Sequence, residues 1–471
     1  MNRPFLMDHR SAAQALGAEL FPGNAGGGFF SVAIDSRKVI SGALFIALRG
    51  LQSDGHRFLR ESFAAGAVAA LVSRKGMEEA NLDPAVLAAE MGAVLLVVED
   101  TLKGFQDLAA AYLDRFPHLL RIGITGSSGK TTTKEISASI IDKEKKVVMN
   151  PGNLNSETGL PLAVFDVRDH HEVGIFEAGM NRRGEIGELA AVLKPRIALV
   201  TNIGSAHIGI LGSMDTIAEE KKQIFSQFTG TETALIPEDD PFRDYLAQDV
   251  KGRVVFYGQK NFAASGKLNA VLDQGLAGTE ITWEGIPAGF GLPGKHNLKN
   301  ALAAAALADE AGIGAVSIRE GLSAVKSLFG RSEILRGKTT IIRDCYNSNP
   351  DSAAEALSFC DNLDWPERRI YILGSMLELG DREEEEHRKI GMLLAESKAA
   401  AIFLYGKEMR FAAAVLEEKQ RTFFHTCNMK DLSSIVKEHI QAGDLVLLKG
   451  SRGCALETLS GIVLMEETDV P

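Results

Sequence analysis

One pattern constrains the fold of this chain more than any other. Short, unbroken apolar runs stop at Gly, Asn or Thr and give way to helix-compatible sequence. Ile122-Gly123-Ile124, Val147-Val148-Met149, Val173-Gly174-Ile175-Phe176 and Ile197-Ala198-Leu199-Val200 show it in the middle of the chain. Ile370 to Leu373, Ala401 to Leu404 and Leu445 to Leu448 repeat it near the end. A strand with one wet face would alternate apolar and polar residues, whereas a continuous run is buried on both faces. Such runs mark parallel sheet covered by helices. The expected fold class is therefore α/β with mostly parallel sheet.

A chain of 471 residues suggests about three domains at roughly 150 residues each. An earlier group of runs, Leu44 to Leu48, Val68 to Val72 and Val94 to Val98, forms the first of them. A helical stretch from Leu102 to Phe116 leads to Pro117, a hinge signal, so a boundary is expected near residue 103. The Ala-rich segment Ala301 to Ala308 reads as a helix capped by Asn297 and closed near Gly312. A further strand–helix series starts at Phe329-Gly330-Arg331. The expected domains are thus 1–103, 104–328 and 329–471.

With 45% hydrophobic and 24% charged residues, the chain has the composition of a globular protein. A net charge of -11 argues against general affinity for nucleic acid or anionic membranes. No apolar stretch reaches the roughly 20 residues that cross a bilayer, and the start lacks a secretory pattern. The four cysteines, Cys345, Cys360, Cys427 and Cys454, form no C-x-x-C pair. Reduced thiols in a cytoplasmic protein are expected.

Chemistry enters at Gly123-Ile124-Thr125-Gly126-Ser127-Ser128-Gly129-Lys130-Thr131-Thr132-Thr133, between an apolar strand and a helix. Glycines let backbone N–H groups turn inward around phosphate oxygens, and a helix N-terminus adds its dipole. Lys130 would reach the terminal phosphates and the Thr131 hydroxyl would ligate Mg²⁺. The longer G-x-x-x-x-G-K-[ST] pattern is broken by Ile124, so the motif is the shorter G-x-x-G-K-T. Residues 125–132 are the candidate ATP site.

Ligands of open parallel sheets bind beyond the carboxyl ends of the strands. Glu177 stands just past one strand, where a carboxylate suits a hard cation. His207 follows another strand, after Thr201-Asn202-Ile203-Gly204-Ser205-Ala206. Lys221 and Lys222, in Glu219-Glu220-Lys221-Lys222, read from local pattern alone as a solvated helix face. Asp381 to His387 reads as the acidic opening of an exposed helix, with no catalytic role.

Together these residues resemble the Mur ligases of peptidoglycan precursor synthesis, along nearly the whole chain. Asp35-Ser36-Arg37, Gly42 to Leu48 and Asp54-Gly55-His56 resemble the family's UDP-sugar-binding domain. The loop at 124–133, Gly152-Asn153-Leu154-Asn155, Glu177 to Asn181 and Asn202 to His207 match its central ATPase domain. Gly294 to Asn300 matches its adenine-contacting segment. Asp344-Cys345-Tyr346-Asn347-Ser348-Asn349-Pro350 and Leu373 to Gly380 resemble signatures of the last ligase of the series. The ligase that adds the third residue is the alternative.

The resemblance implies an ATP-dependent carboxylate–amine ligase with ATP and Mg²⁺, acting on UDP-MurNAc-tripeptide and D-Ala-D-Ala as a monomer. It implies that Lys130, Lys221 and His207 are catalytic. Lys221 would be carboxylated and join Thr131, Glu177 and His207 as a metal ligand, although Gln223 replaces a customary acid. His296, Asn297 and Asn300 would lie at the adenine, Arg331 and Asp344 at the phosphates and ribose. Ser36, Arg37 and Asn155 would hold the UDP substrate. Ser156, Arg343 and Ser375 depart from the family pattern without touching a presumed metal ligand.

Overall fold

The computed structural model describes residues 4–22, 26–50 and 53–465. The chain forms two compact units, one of residues 1–124, 145–198 and 223–232, the other of residues 125–144, 199–222 and 233–471.

In the first unit a five-stranded sheet runs in the order Glu19–Phe21, Val94–Val98, Ala67–Ser73, Ala43–Ile46, Ser31–Ala33. Only the Glu19–Phe21 edge is antiparallel. Phe45, Leu59, Val72, Leu87 and Leu95 share its core. The helix Thr101–Leu113 follows, started by the Asp100 side chain accepting from the Leu102 and Lys103 N–H groups. Val173–Glu177 then pairs in parallel with both Leu120–Thr125 and Val147–Met149. The parallel arrangement expected from the unbroken apolar runs is therefore present.

In the second unit the helix Lys130–Ile141 packs against the helices Lys295–Glu310 and Ala315–Ser323. Gly321 seats the latter, since a Cβ there would strike the Ile140 backbone. A six-stranded sheet runs in the order Glu333–Arg336, Thr340–Asp344, Leu445–Lys449, Arg369–Gly374, Ala401–Tyr405, Phe424–Thr426. All neighbours are parallel except the Glu333–Arg336 edge. Alternate residues of the apolar runs feed different cores. Ile342, Tyr371, Leu373, Leu404 and Leu447 pack on one side. Ile341, Ile370, Ile372, Phe403, Val446 and Leu448 pack on the other. Two helical layers explain why these strands carry no polar alternation.

Three local expectations are corrected. The Ala-rich helix begins at Lys295 with Gly294 as its cap, at φ 93°. Asn297 thus lies inside the first turn, and its Nδ2 donates to the Pro293 carbonyl at 2.8 Å. The run at 381–387 is not a fully exposed face, because Glu386 and His387 are buried and His387 Nε2 accepts the Met376 N–H. Lys221 is not on a solvated face either, being 1% exposed. The charged Glu219-Glu220-Lys221-Lys222 pattern hid an inward-facing lysine.

Candidate active site

The phosphate loop leaves the strand Leu120–Thr125 with Gly126 at φ 147° and enters its helix through Gly129 at φ 79°. Left-handed backbone at 129 suits glycine, and a Cβ there would strike Asn300 Oδ1. No side chain caps the helix at Gly129. Helix starts of this kind are where anions bind in other proteins.

The rest of the loop is tied down. Asn202 Oδ1 accepts the N–H groups of Ser127 at 3.1 Å and Ser128 at 2.9 Å. The Asn202 carbonyl accepts the Ser127 N–H as well. Thr201 Oγ1 donates to the Ser128 carbonyl at 2.6 Å, and the Thr201 N–H donates to the Thr125 carbonyl. The Ser127 hydroxyl bonds reciprocally with Gly204, accepting its N–H at 2.8 Å and donating to its carbonyl at 2.9 Å. Thr125, Thr132 and Thr133 are buried beneath. Asn202 and Thr201 carry no role in the sequence-based site, yet they are the first residues past a strand end, where ligand-binding residues collect.

Two lysine nitrogens meet at one atom. Lys130 Nζ donates to the Gly126 carbonyl at 2.8 Å, and Lys221 Nζ donates to it at 2.9 Å. Burial, and secondarily the charge of Lys130, pushes the Lys221 amine well below its ordinary pKa. A neutral amine is a nucleophile, which is the form that adds to carbon dioxide.

Residues after 290 complete this region of the second unit. Asn300 Oδ1 lies 3.4 Å from Thr133 Oγ1, and Asn300 Nδ2 lies 3.4 Å from Asn297 Oδ1. His296 Nε2 meets Ser332 Oγ at 2.9 Å, and burial pushes its imidazole down. Arg331 donates to the Thr131 hydroxyl at 3.1 Å while its guanidinium stacks 4.3 Å over Tyr346. Asp344 accepts the Ser332 N–H and pairs with buried Lys449 at 3.0 Å. Asn349 Nδ2 reaches the Ser128 hydroxyl at 3.1 Å. His207 Nδ1 lies 3.5 Å from Glu378 Oε2, an ion-pair distance. Sequence reading missed Asn349 and Lys449 as parts of this network.

In the first unit Glu177 is 1% exposed. Asn150 Oδ1 accepts its N–H at 2.8 Å and Asn150 Nδ2 donates to its carbonyl at 3.0 Å. Asn155, expected at the UDP substrate, donates to the Glu177 carboxylate at 2.6 Å. Arg37 is mostly exposed and pairs with Asp35 through Nε at 2.9 Å and a second nitrogen at 2.7 Å. Ser36 Oγ lies 3.4 Å from Glu61. Among the described residues no three His, Cys, Asp or Glu side chains form a ready metal cage.

This geometry agrees with what the chain is similar to. The Mur ligase family catalytic domain matches residues 30–113, the Mur ligase middle domain 124–308, and the Mur ligase glutamate ligase domain 330–452. UDP-N-acetylmuramoyl-tripeptide–D-alanyl-D-alanine ligase of Treponema pallidum is 43% identical over 456 residues, covering 96% of this chain and 98% of that protein. The chain belongs to the Mur ligase family. The Bacillus subtilis enzyme of the same name is 36% identical, covering 91% of this chain and 92% of its own. A crystal structure of MurF from Acinetobacter baumannii superposes with a TM-score of 0.85 at 26% identity, covering 98% of this chain and 99% of that one. In Mur ligase terms, Lys130, Asn202, His207, Lys221 and Asn300 come from the middle domain. Arg331, Asp344, Asn349 and Lys449 come from the C-terminal domain.

Proposed function

We infer that this Mur ligase joins D-Ala-D-Ala to the terminal carboxylate of UDP-MurNAc-tripeptide at the expense of ATP. The observation that carries the reading is the full-length similarity to ligases of that name. The uncapped glycine loop with Lys130 at its helix start supports the use of ATP. We read the chain as three domains, 1–103, 104–328 and 329–471, which follow the order of the three matched regions.

Carboxylate oxygen is a poor leaving group, so the acid must be activated before an amine can displace it. Transfer of the γ-phosphoryl group of ATP to that carboxylate gives an acyl phosphate. The free amine of D-Ala-D-Ala attacks the acyl carbon, and inorganic phosphate departs. Each approach brings anions together, and Lys130 offsets that repulsion once it leaves the Gly126 carbonyl for phosphate. Gly126 to Thr132 cradle the phosphates, His296, Asn297 and Asn300 flank the adenine, and Arg331 and Asp344 address phosphate and ribose.

Mg²⁺ supplies charge neutralisation on the phosphates. Thr131, His207 and a carboxylated Lys221 carry the donors we assign to it. Glu177, a buried carboxylate held by Asn150 and Asn155 within the first unit, would be a further oxygen donor for a cation. The donor set fits a hard cation only once Lys221 has become an oxygen ligand. Ser36 and Arg37 would hold the uridine end, and Asn155 would contact the UDP substrate. We read the enzyme as a cytoplasmic monomer. Four free thiols, three of them buried, support the reducing compartment. Sedimentation would test the monomer.

Phosphate release, measured with each substrate withheld in turn, tests the reaction class. A ligase releases phosphate only with ATP, UDP-MurNAc-tripeptide and D-Ala-D-Ala all present. Steady release from ATP alone would refute it.

A further inference from the structure

The segment after Asn202 makes a second set of contacts inside the second unit. Asp351, in the first turn of the helix Pro350–Asn362, accepts both the N–H and the hydroxyl of Ser205 on one oxygen, each at 2.8 Å. Gly204 next to it lies so close that a Cβ would come 2.7 Å from the same oxygen. Gly204 is also the reciprocal partner of the Ser127 hydroxyl. A carboxylate of the C-terminal domain is thus connected to the phosphate loop through two adjacent residues.

A few residues on, the helix Ile208–Leu211 meets the turn Gly380–Arg382 backbone against backbone. A Cβ on Gly209 would collide with the Gly380 nitrogen and the Leu379 carbonyl carbon, and one on Gly380 would come 2.8 Å from Gly209 Cα. His207 at φ 64° and Glu378 at φ 68° flank this seam. Both hold a left-handed conformation that non-glycine residues enter at a cost. Arg331 on Thr131 and Asn349 on Ser128 are further contacts between residues after 328 and the phosphate loop. The Asn349 contact joins two neutral groups, whereas the Arg331 contact and both Asp351 bonds are charge-assisted, roughly twice as strong each.

We propose that Asp351 and the Gly209–Gly380 seam form a latch that holds the C-terminal domain against the phosphate loop. In this role Asp351 is a positioning residue for the ligation. The proposal rests on the reading that residues 124–308 bind ATP.

Hydrogen exchange of the full-length chain, followed by mass spectrometry without nucleotide, tests the latch. The variants are Asp351→Ala, Asp351→Asn and Gly209→Ala. The last adds a methyl group at a helical position, where alanine favours the helix, so it disturbs the seam and not the local fold. Asp351→Ala and Gly209→Ala should both speed exchange in 203–212 and in 377–382, with the strand Thr340–Asp344 unchanged. Asp351→Asn should fall between, since its amide oxygen still accepts one N–H. In Asp351→Ala, kcat/KM for ATP should fall roughly tenfold, as for a lost charge-assisted bond. KM for the UDP substrate should move much less.

Faster exchange at 203–212 alone, with 377–382 at the wild-type rate, would overturn the latch and leave Asp351 a local cap. Exchange and ligation are measured separately. A wild-type chain that fails to ligate would therefore refute the functional reading, not the latch.

Discussion

The phosphate loop and the Asp35–Arg37 turn are both proposed to serve anionic parts of the substrates, and they are built in opposite ways. At the loop, Ser127, Ser128, Lys130 and Thr131 all take partners from within the second unit, through Asn202, Gly126, Asn349 and Arg331. At the turn, the cation pairs with a carboxylate two residues away, and the Arg37 side chain stays 83% exposed. An exposed ion pair contributes about 0–1 kcal/mol, so Arg37 can exchange Asp35 for a ligand at little cost. The loop pays for its precision in buried polar bonds, and the turn keeps its cation available. On that proposal one site is set in advance for chemistry, and the other is left to re-pair on binding.

The largest effect is expected where that preset geometry carries the charge. Lys130→Ala should lower ligation by roughly 1000-fold in steady-state assays, and near-normal turnover would remove the contrast. Lys221→Ala should lose roughly 100-fold or more, and added short carboxylic acids should restore part of it. Full activity in that variant would end the carboxylation assignment.

Asn202→Ala leaves the Ser128 N–H without its acceptor and removes one of the two acceptors of the Ser127 N–H. That should cost about 1–3 kcal/mol of stability, visible as a lower Tm, with KM for ATP raised roughly tenfold. An unchanged Tm would mean the loop is not held from Asn202. Arg37→Ala should leave Tm and KM for ATP unchanged and raise KM for the UDP substrate a few-fold, by roughly 3- to 10-fold. Equal effects on both substrates would put Arg37 in the folding machinery instead.

The smallest effect concerns pH. Hydrogen bonds from Arg37 depress Asp35 to about 2. A depressed carboxylate contributes above its unfolded pKa and loses that contribution only as pH falls through the folded value. The turn should therefore give no inflection in KM for the UDP substrate between pH 6 and 9. A step there in wild type that disappears in Asp35→Asn would contradict the pairing.

Much of the fold was legible because unbroken apolar runs have few alternatives. Ile370 to Leu373 and Leu445 to Leu448 became buried parallel strands. The loop was legible because Gly126, Gly129 and Lys130 announce their chemistry locally. Lys221 was hidden by its neighbours Glu219, Glu220 and Lys222, since inward orientation depends on what the helix packs against. Asn297 looked like a cap because glycine at 294 starts the helix by backbone conformation, with no polar side chain to signal it. Asn202, Asn349, Asp351 and Lys449 matter through partners about 70 to 220 residues away or in another strand, as in the Asn349–Ser128 bond. Separations of that kind are fixed by tertiary structure and leave no periodic trace.

The central claim is the formation of one peptide bond, and mass detection of the product addresses it directly. Incubated with ATP, Mg²⁺, UDP-MurNAc-tripeptide and D-Ala-D-Ala, the enzyme should yield UDP-MurNAc-pentapeptide with ADP and phosphate in equal amounts. Omitting D-Ala-D-Ala should abolish that mass. Its absence from the complete mixture, or ligation of a single amino acid to the dipeptide precursor instead, would contradict the account.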